Sequence, residues 1–204
     1  MLFRSWWTNS FGFGVDYLGR HETVRTNSVP LVDPGDGSLL TLDGAALTNQ
    51  LDVSTVLHVA EGAVVDFDLG VQTLAGLSGS GVVTNGTLTV TGDIAPGGEG
   101  TVGTLTLAAG ALSLSGRLLV DATSGGDCDR LVVAGDLDLS ALSLEIVNAG
   151  ALDRHKTYTL MTVGGTRTGT FASVTLDDPQ WHVSYKDDGS VQLIFPTGTV
   201  ILMR

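Results

Sequence analysis

Gly86-Thr-Leu-Thr-Val-Thr-Gly92 is followed by Gly110-Ala-Leu-Ser-Leu-Ser-Gly116 and Gly135-Asp-Leu-Asp-Leu-Ser-Ala141, one phrase written three times. The leading glycines fall at 86, 110 and 135, at offsets of 24 and 25. A looser version extends upstream as Gly62-Ala-Val-Val-Asp-Phe-Asp68 and Gly37-Ser-Leu-Leu-Thr-Leu-Asp43, with offsets of 24 and 25 again. Five copies at a near-constant period mark a stacked repeat, in which each unit buries its apolar side against the next. Inside the phrase the alternation is strict. Leu88 and Val90, Leu112 and Leu114, and Leu137 and Leu139 are expected to point inward; Thr89, Ser113 and Asp138 are expected to point outward. Period-two alternation over a few residues reads as a strand with one buried and one wet face. Glycine beside each strand supplies the backbone freedom of a sharp corner. A strand, a corner and a return about every 24 residues predict the coil of a β-solenoid, and the helical stripe of an ankyrin or tetratricopeptide unit is missing.

The composition agrees. The chain has 204 residues, enough for one elongated domain with a substantial core. Its 28 glycines are about twice the usual share, and its 16% charged residues fall well below the usual quarter, as suits short strands and tight turns. A formal net charge of −12 argues against nucleic acid and against anionic membrane surfaces, both of which need clustered Lys and Arg. No stretch approaches the roughly 20 apolar residues of a membrane span, so no transmembrane segment is expected. Cys128 is the single cysteine, which excludes an internal disulfide. It lies in Gly125-Gly-Asp-Cys-Asp-Arg130, a loop by composition, with no nearby His or helix start to activate a thiol.

Outside the repeat the texture changes. Residues 1–36 are expected to form an N-terminal cap or a poorly ordered segment. Trp6, Trp7, Phe11, Phe13 and Tyr17 gather aromatic rings there that the middle of the chain nearly lacks. They read as a cover for the open first coil, since a solenoid end exposes unpaired backbone, with a sugar-stacking platform as the alternative. Met1-Leu-Phe-Arg-Ser-Trp-Trp7 has neither the apolar core nor the small-residue cleavage site of a signal peptide, so a fragment, a mature form or an odd gene start is expected. The coils are expected over 37–149, and a C-terminal β cap of paired strands over 150–204. In that cap Lys186-Asp-Asp-Gly-Ser190 has a hairpin-turn composition, and Trp181 and Phe195 would plug the last coil.

Few residues suggest chemistry. Asp66 and Asp68 flank Phe67 at the spacing of one strand face, which would suit an acid–base pair or calcium, yet no Lys, Arg or third carboxylate lies close in sequence. His58 alternates with Leu57 and Val59 and is expected on the wet face or a groove. The histidines at 21, 58, 155 and 182 show no zinc spacing. Gly97-Gly-Glu-Gly-Thr101 lacks the Gly-Lys-Ser/Thr ending of a phosphate loop and has Val102 where a calcium nonapeptide needs Asp, so it reads as a corner. No Gly-x-Ser-x-Gly elbow occurs. No cofactor and no catalytic residue is expected.

The run Leu74-Ala-Gly-Leu-Ser-Gly-Ser-Gly-Val-Val-Thr-Asn-Gly-Thr-Leu-Thr-Val-Thr-Gly92 resembles the autotransporter-associated β-strand repeat, also called the passenger-associated transport repeat. Ile94-Ala-Pro-Gly-Gly98, Gly103-Thr-Leu-Thr-Leu107 and Asp129-Arg-Leu-Val-Val-Ala-Gly135 continue the likeness, which covers roughly residues 55 to 175. The resemblance implies a right-handed parallel β-helix in a secreted or surface-displayed bacterial protein, and it brings no catalytic residues. One departure from that pattern is expected: none of these 204 residues reads as the membrane-spanning β-barrel domain that follows a passenger. The leading expectation is therefore a non-catalytic scaffold outside the cell, for display, spacing or self-association through the solenoid ends. One alternative is an adhesin module binding a glycan or a surface protein through exposed Trp6, Trp7 or Trp181. Another is a carbohydrate-active enzyme working in a groove on the solenoid face.

Overall fold

The computed structural model describes residues 21–23, 31–32, 39–41, 48–147 and 152–196. Among them there is no helix; every element is a strand. Three short strands come first: β1 (His21–Thr23), β2 (Leu31–Val32) and β3 (Leu39–Thr41). The chain then repeats a cycle of three. The first turn is β4 (Val56–Val59), β5 (Val64–Asp66) and β6 (Val71–Leu74), and the second is β7 (Gly76–Gly79), β8 (Val82–Thr84) and β9 (Thr87–Val90). The third is β10 (Ile94–Pro96), β11 (Thr104–Ala108) and β12 (Ala111–Leu114), and the fourth is β13 (Arg117–Val120), β14 (Arg130–Val133) and β15 (Leu137–Asp138). The fifth is β16 (Ser143–Ile146), β17 (Tyr158–Val163) and β18 (Arg167–Thr168). After it come β19 (Val174–Thr175), β20 (His182–Tyr185) and β21 (Ser190–Ile194).

Each member of a cycle joins a different sheet. A seven-stranded sheet takes β2, β4, β7, β10, β13, β16 and β19, every neighbour parallel. A nine-stranded sheet takes β1, β3, β5, β8, β11, β14 and β17 in parallel, then β21 and β20 in antiparallel order. A third sheet takes β6, β9 and β12, and β15 pairs with β18. This all-β, parallel arrangement is compatible with a β-solenoid.

The alternating phrases fold as their pattern predicts. Leu88, Val90, Leu114, Leu137 and Leu139 are buried and Leu112 packs partly against the core, while Ser113 and Asp138 are exposed. Inward residues stack in columns from turn to turn. Val65, Val83, Leu107, Val133 and Val163 form one; Leu57, Leu77, Ile94, Leu118 and Leu144 form another. Both columns belong to one continuous core that reaches Trp181 and Leu193. Burying each such side chain contributes about 1.5–3 kcal/mol before chain entropy is counted.

The register differs from the expected five-copy period. The strands at 87–90 and 111–114 do pair, 24 residues apart. The upstream phrases pair with each other, Leu39 with Val64, but they lie in the nine-stranded sheet and not in the sheet of 87–90. There Val65 meets Val83, 18 residues on, and the next steps are 24 to Leu107, 26 to Val133 and 30 to Val163. Parallel pairing also continues past residue 149 to Val174–Thr175, and antiparallel pairing enters only with β20 and β21.

Candidate functional site

The polar groups that could carry chemistry are mostly tied to backbone. Asp66 Oδ1 accepts the Asp68 N–H and the Asn85 Nδ2–H, each at 2.8 Å. Asp68 has φ +50° and Asn85 φ +59°, so the Asp66 carboxylate braces a left-handed corner in each of two adjacent turns. Neither partner of Asp66 is a base or a cation. The Asp66 carboxylate closes a turn.

Three aspartates repeat one device. Asp52, Asp138 and Asp188 each accept, through Oδ1, the backbone N–H and the hydroxyl of the serine two residues on: Ser54, Ser140 and Ser190. The serine hydroxyl first, then the backbone N–H, holds all three carboxyls below the usual aspartate range. Asp136 reaches across to the Thr166 N–H of the next turn at 2.6 Å. These carboxylates act as local acceptors that shape corners.

His58 is half-buried on β4, and its Nδ1 lies 3.0 Å from Ser78 Oγ on β7, its register partner in the next turn. That is a cross-strand hydrogen bond between register partners. His155 and His182 are exposed and lie apart from it. Among the described residues no group of three or more His, Cys, Asp or Glu side chains could hold a metal ion. No helix among them is long and apolar enough to cross a membrane.

Cys128 lies in an antiparallel bridge with Ala122, and its Sγ–H donates to the Thr159 carbonyl at 3.4 Å. Burial, the largest influence, pushes the thiol up to about 11, so it stays protonated and weakly nucleophilic at neutral pH.

The aromatic candidates fare differently. Trp6 and Trp7 lie outside the described residues. Trp181 is only 5% exposed, edge-on to Tyr158 at 5.7 Å and to Phe195 at 5.4 Å between ring centroids. Its faces are packed into the core, so it offers no sugar platform. The ligand-binding expectation for Trp181 is thereby corrected, while its place as a plug against Phe195 matches the sequence. The guanidinium of Arg154 covers the Phe195 ring at 4.6 Å and reaches Asp178 at 3.2 Å. Tyr158 is fully buried; its hydroxyl donates to the Thr123 carbonyl and accepts the Asp153 N–H.

Sequence reasoning missed two polar clusters. Arg117 forks onto Asp93 at 2.8–2.9 Å and onto Glu145 at 2.8 Å, lacing three consecutive turns on the outer surface. Its only sequence signal is spacing close to one turn on either side. The second is the carboxylate pair Asp121 and Asp129, 6% and 1% exposed, which accepts the Gly100 and Gly103 N–H groups of the 97–103 corner. Nothing in period or motif separates these two from surface aspartates, because their burial depends on two loops of neighbouring turns meeting.

The comparisons leave the resemblance where the sequence put it. No protein-family model matches the chain, and searches of the curated proteins and of the solved structures found no match.

Proposed function

We propose that the chain is a non-catalytic scaffold of a secreted or surface-displayed bacterial protein. In this reading it is a right-handed parallel β-helix of the autotransporter-passenger kind, which spaces or displays other segments outside the cell. The observation that carries the reading is the rotation of the chain through parallel sheets over five turns. The carboxylates of Asp66, Asp136, Asp138 and Asp188 support it, since they serve corners and neighbouring turns. A scaffold of this kind tolerates change in its corner loops, because each turn rests only on its neighbours.

The test combines shape with loop tolerance. Small-angle scattering on the full chain is expected to give an elongated particle of constant cross-section. A short hydrophilic peptide inserted between Gly125 and Gly126 should be displayed with the melting temperature nearly unchanged. A compact, near-spherical particle would overturn the scaffold reading, as would an insertion there that abolishes folding.

A further inference from the structure

Among the described residues the nine-stranded sheet ends on β20, whose one neighbour is β21. The hairpin that joins them fixes which backbone groups of β20 are left over. The Lys186 N–H donates to the Ser190 carbonyl at 2.9 Å, and along an antiparallel ladder the bonded positions alternate. Ser184 and His182 therefore turn their N–H and C=O groups toward Gln192 and Ile194 of β21, while Val183 and Tyr185 turn theirs toward the open edge. The side chains of Val183 and Tyr185 face the core but are only half-buried, whereas Leu193 and Val191 opposite them are fully buried. Tyr185 is nonetheless held in place. Its ring lies 6.1 Å from that of Phe171, the Arg167 guanidinium covers it at 5.2 Å, and its hydroxyl accepts the Phe171 N–H at 3.1 Å. Within β20 there is no Lys, Glu or Pro of the kind that blunts an edge.

We infer that β20 pairs antiparallel with β20 of a second copy of the chain across a two-fold axis, joining the two nine-stranded sheets edge to edge.

The strand's own alternation gives the register. With Ser184 opposite Ser184 of the second copy, Val183 of each strand meets Tyr185 of the other, and both N–H and both C=O groups of each such pair are satisfied. The same register sets valine against tyrosine twice on the core side, a β-branched and aromatic combination that stabilises neighbouring strands. Charge selects this end of the coil. Residues 150–204 hold five Lys or Arg and five Asp, so the whole net charge of −12 lies in residues 1–149. Pairing through β20 brings two neutral ends together and keeps the acidic turns apart, whereas stacking the coils side by side would oppose them. The inference goes beyond the scaffold reading, which stands whether or not two copies pair.

Sedimentation equilibrium on the full chain tests the pairing. The mass is expected to rise from 21.1 kDa to twice that value, and no further, as concentration passes through the micromolar range, since an interface built around one short strand lies at the small end of stable ones. Ser184→Lys sets two like charges face to face on the two-fold axis and should return the protein to a monomer with its melting temperature nearly unchanged. Ser184→Cys should cross-link into a dimer under mild oxidation, because an unbonded pair in an antiparallel ladder brings its Cα atoms to about 4.5 Å. Ser113→Cys, exposed on a different sheet, should not. A monomer at every concentration up to about 1 mM overturns the proposal, as does a mass that keeps growing past the dimer. It falls too if Ser184→Lys leaves the dimer intact, or if Ser184→Cys cross-links no faster than Ser113→Cys. If the chain pairs only after residues 197–204 are removed, those residues and not a second copy occupy the edge, and the proposal is again overturned.

Discussion

Gln72 shows how a single side chain can do the work of a missing strand. It occupies the inward position that Leu88 and Leu112 fill in the next two turns, and it is only 2% exposed. Its Oε1 accepts the Leu51 N–H and its Nε2 donates to the Leu51 carbonyl, both at 3.0 Å, so the amide completes the backbone pairing of Leu51. Gln72→Leu would match the column, and by hydrophobic burial alone it should stabilise. It would also leave two backbone groups of a fully buried residue without partners, at about 1–3 kcal/mol each. The second effect wins, and chemical denaturation should show a net loss of about 1–3 kcal/mol. Glycines divide in the same way according to what lies opposite. A Cβ at Gly116 would fall inside the Gly92 backbone of the preceding turn, whereas at Gly125 its nearest neighbours are side-chain oxygens at 3.5 and 3.7 Å. Gly116→Ala is expected to cost at least about 3 kcal/mol and Gly125→Ala less than about 0.5 kcal/mol, measured by thermal unfolding.

At the next scale, alternation revealed strands but could not say which wall of the coil each would join. Any wall buries one face, so Val64-Val-Asp66 and Thr87-Leu-Thr-Val90 carry the same period-two signature while lying in different sheets. The spacing of leading glycines hid this, because a turn of 18 residues and a turn of 30 both return the chain to register. Turn length varies through the loops, such as 121–129, and loops leave no periodic trace. The hairpin at 186–190 was legible for the opposite reason: its signal is local. The Lys186 N–H donates to the Ser190 carbonyl, and Gly189 takes φ +82°. The buried Asp121–Asp129 pair was not legible, since it depends on contact between turns. The end of the coil gives a contrast in magnitude. Trp181→Ala removes a core ring flanked by two others and should cost about 3–5 kcal/mol. Arg117→Ala breaks a three-turn ion network, but the guanidinium is exposed and screened by solvent, so a much smaller loss than that of Trp181→Ala is expected. Urea titrations of the two variants side by side check the ranking. A larger loss from Arg117→Ala would mean that the surface lacing, and not the packed end, holds the last turns together.

For the chain as a whole the acidic balance sets two separate pH windows. Asp129 has a folded value near 6 against an ordinary value of 3.8, so between these limits the folded state binds more protons than the unfolded one. Stability therefore falls as pH rises through that window, by up to about 3 kcal/mol from this group. The net charge of −12 acts in the same direction, since self-repulsion grows as carboxylates ionise. Asp52, Asp138 and Asp188 have the opposite sign. Their folded values lie below 3.8, so their contribution is complete above that pH and is lost as pH falls through the folded values. The melting temperature is thus expected to climb as pH drops from 7 to about 4 and to decline below that. Salt should raise the neutral-pH arm by screening repulsion between surface charges, and it should leave the Asp129 contribution largely in place because that group is buried. Melting curves at several pH values, each at low and moderate ionic strength, separate the two terms. A climb that vanishes entirely in salt would assign it to net charge alone, while a residual slope between about pH 4 and 6 that Asp129→Asn removes would assign the remainder to the buried carboxyl.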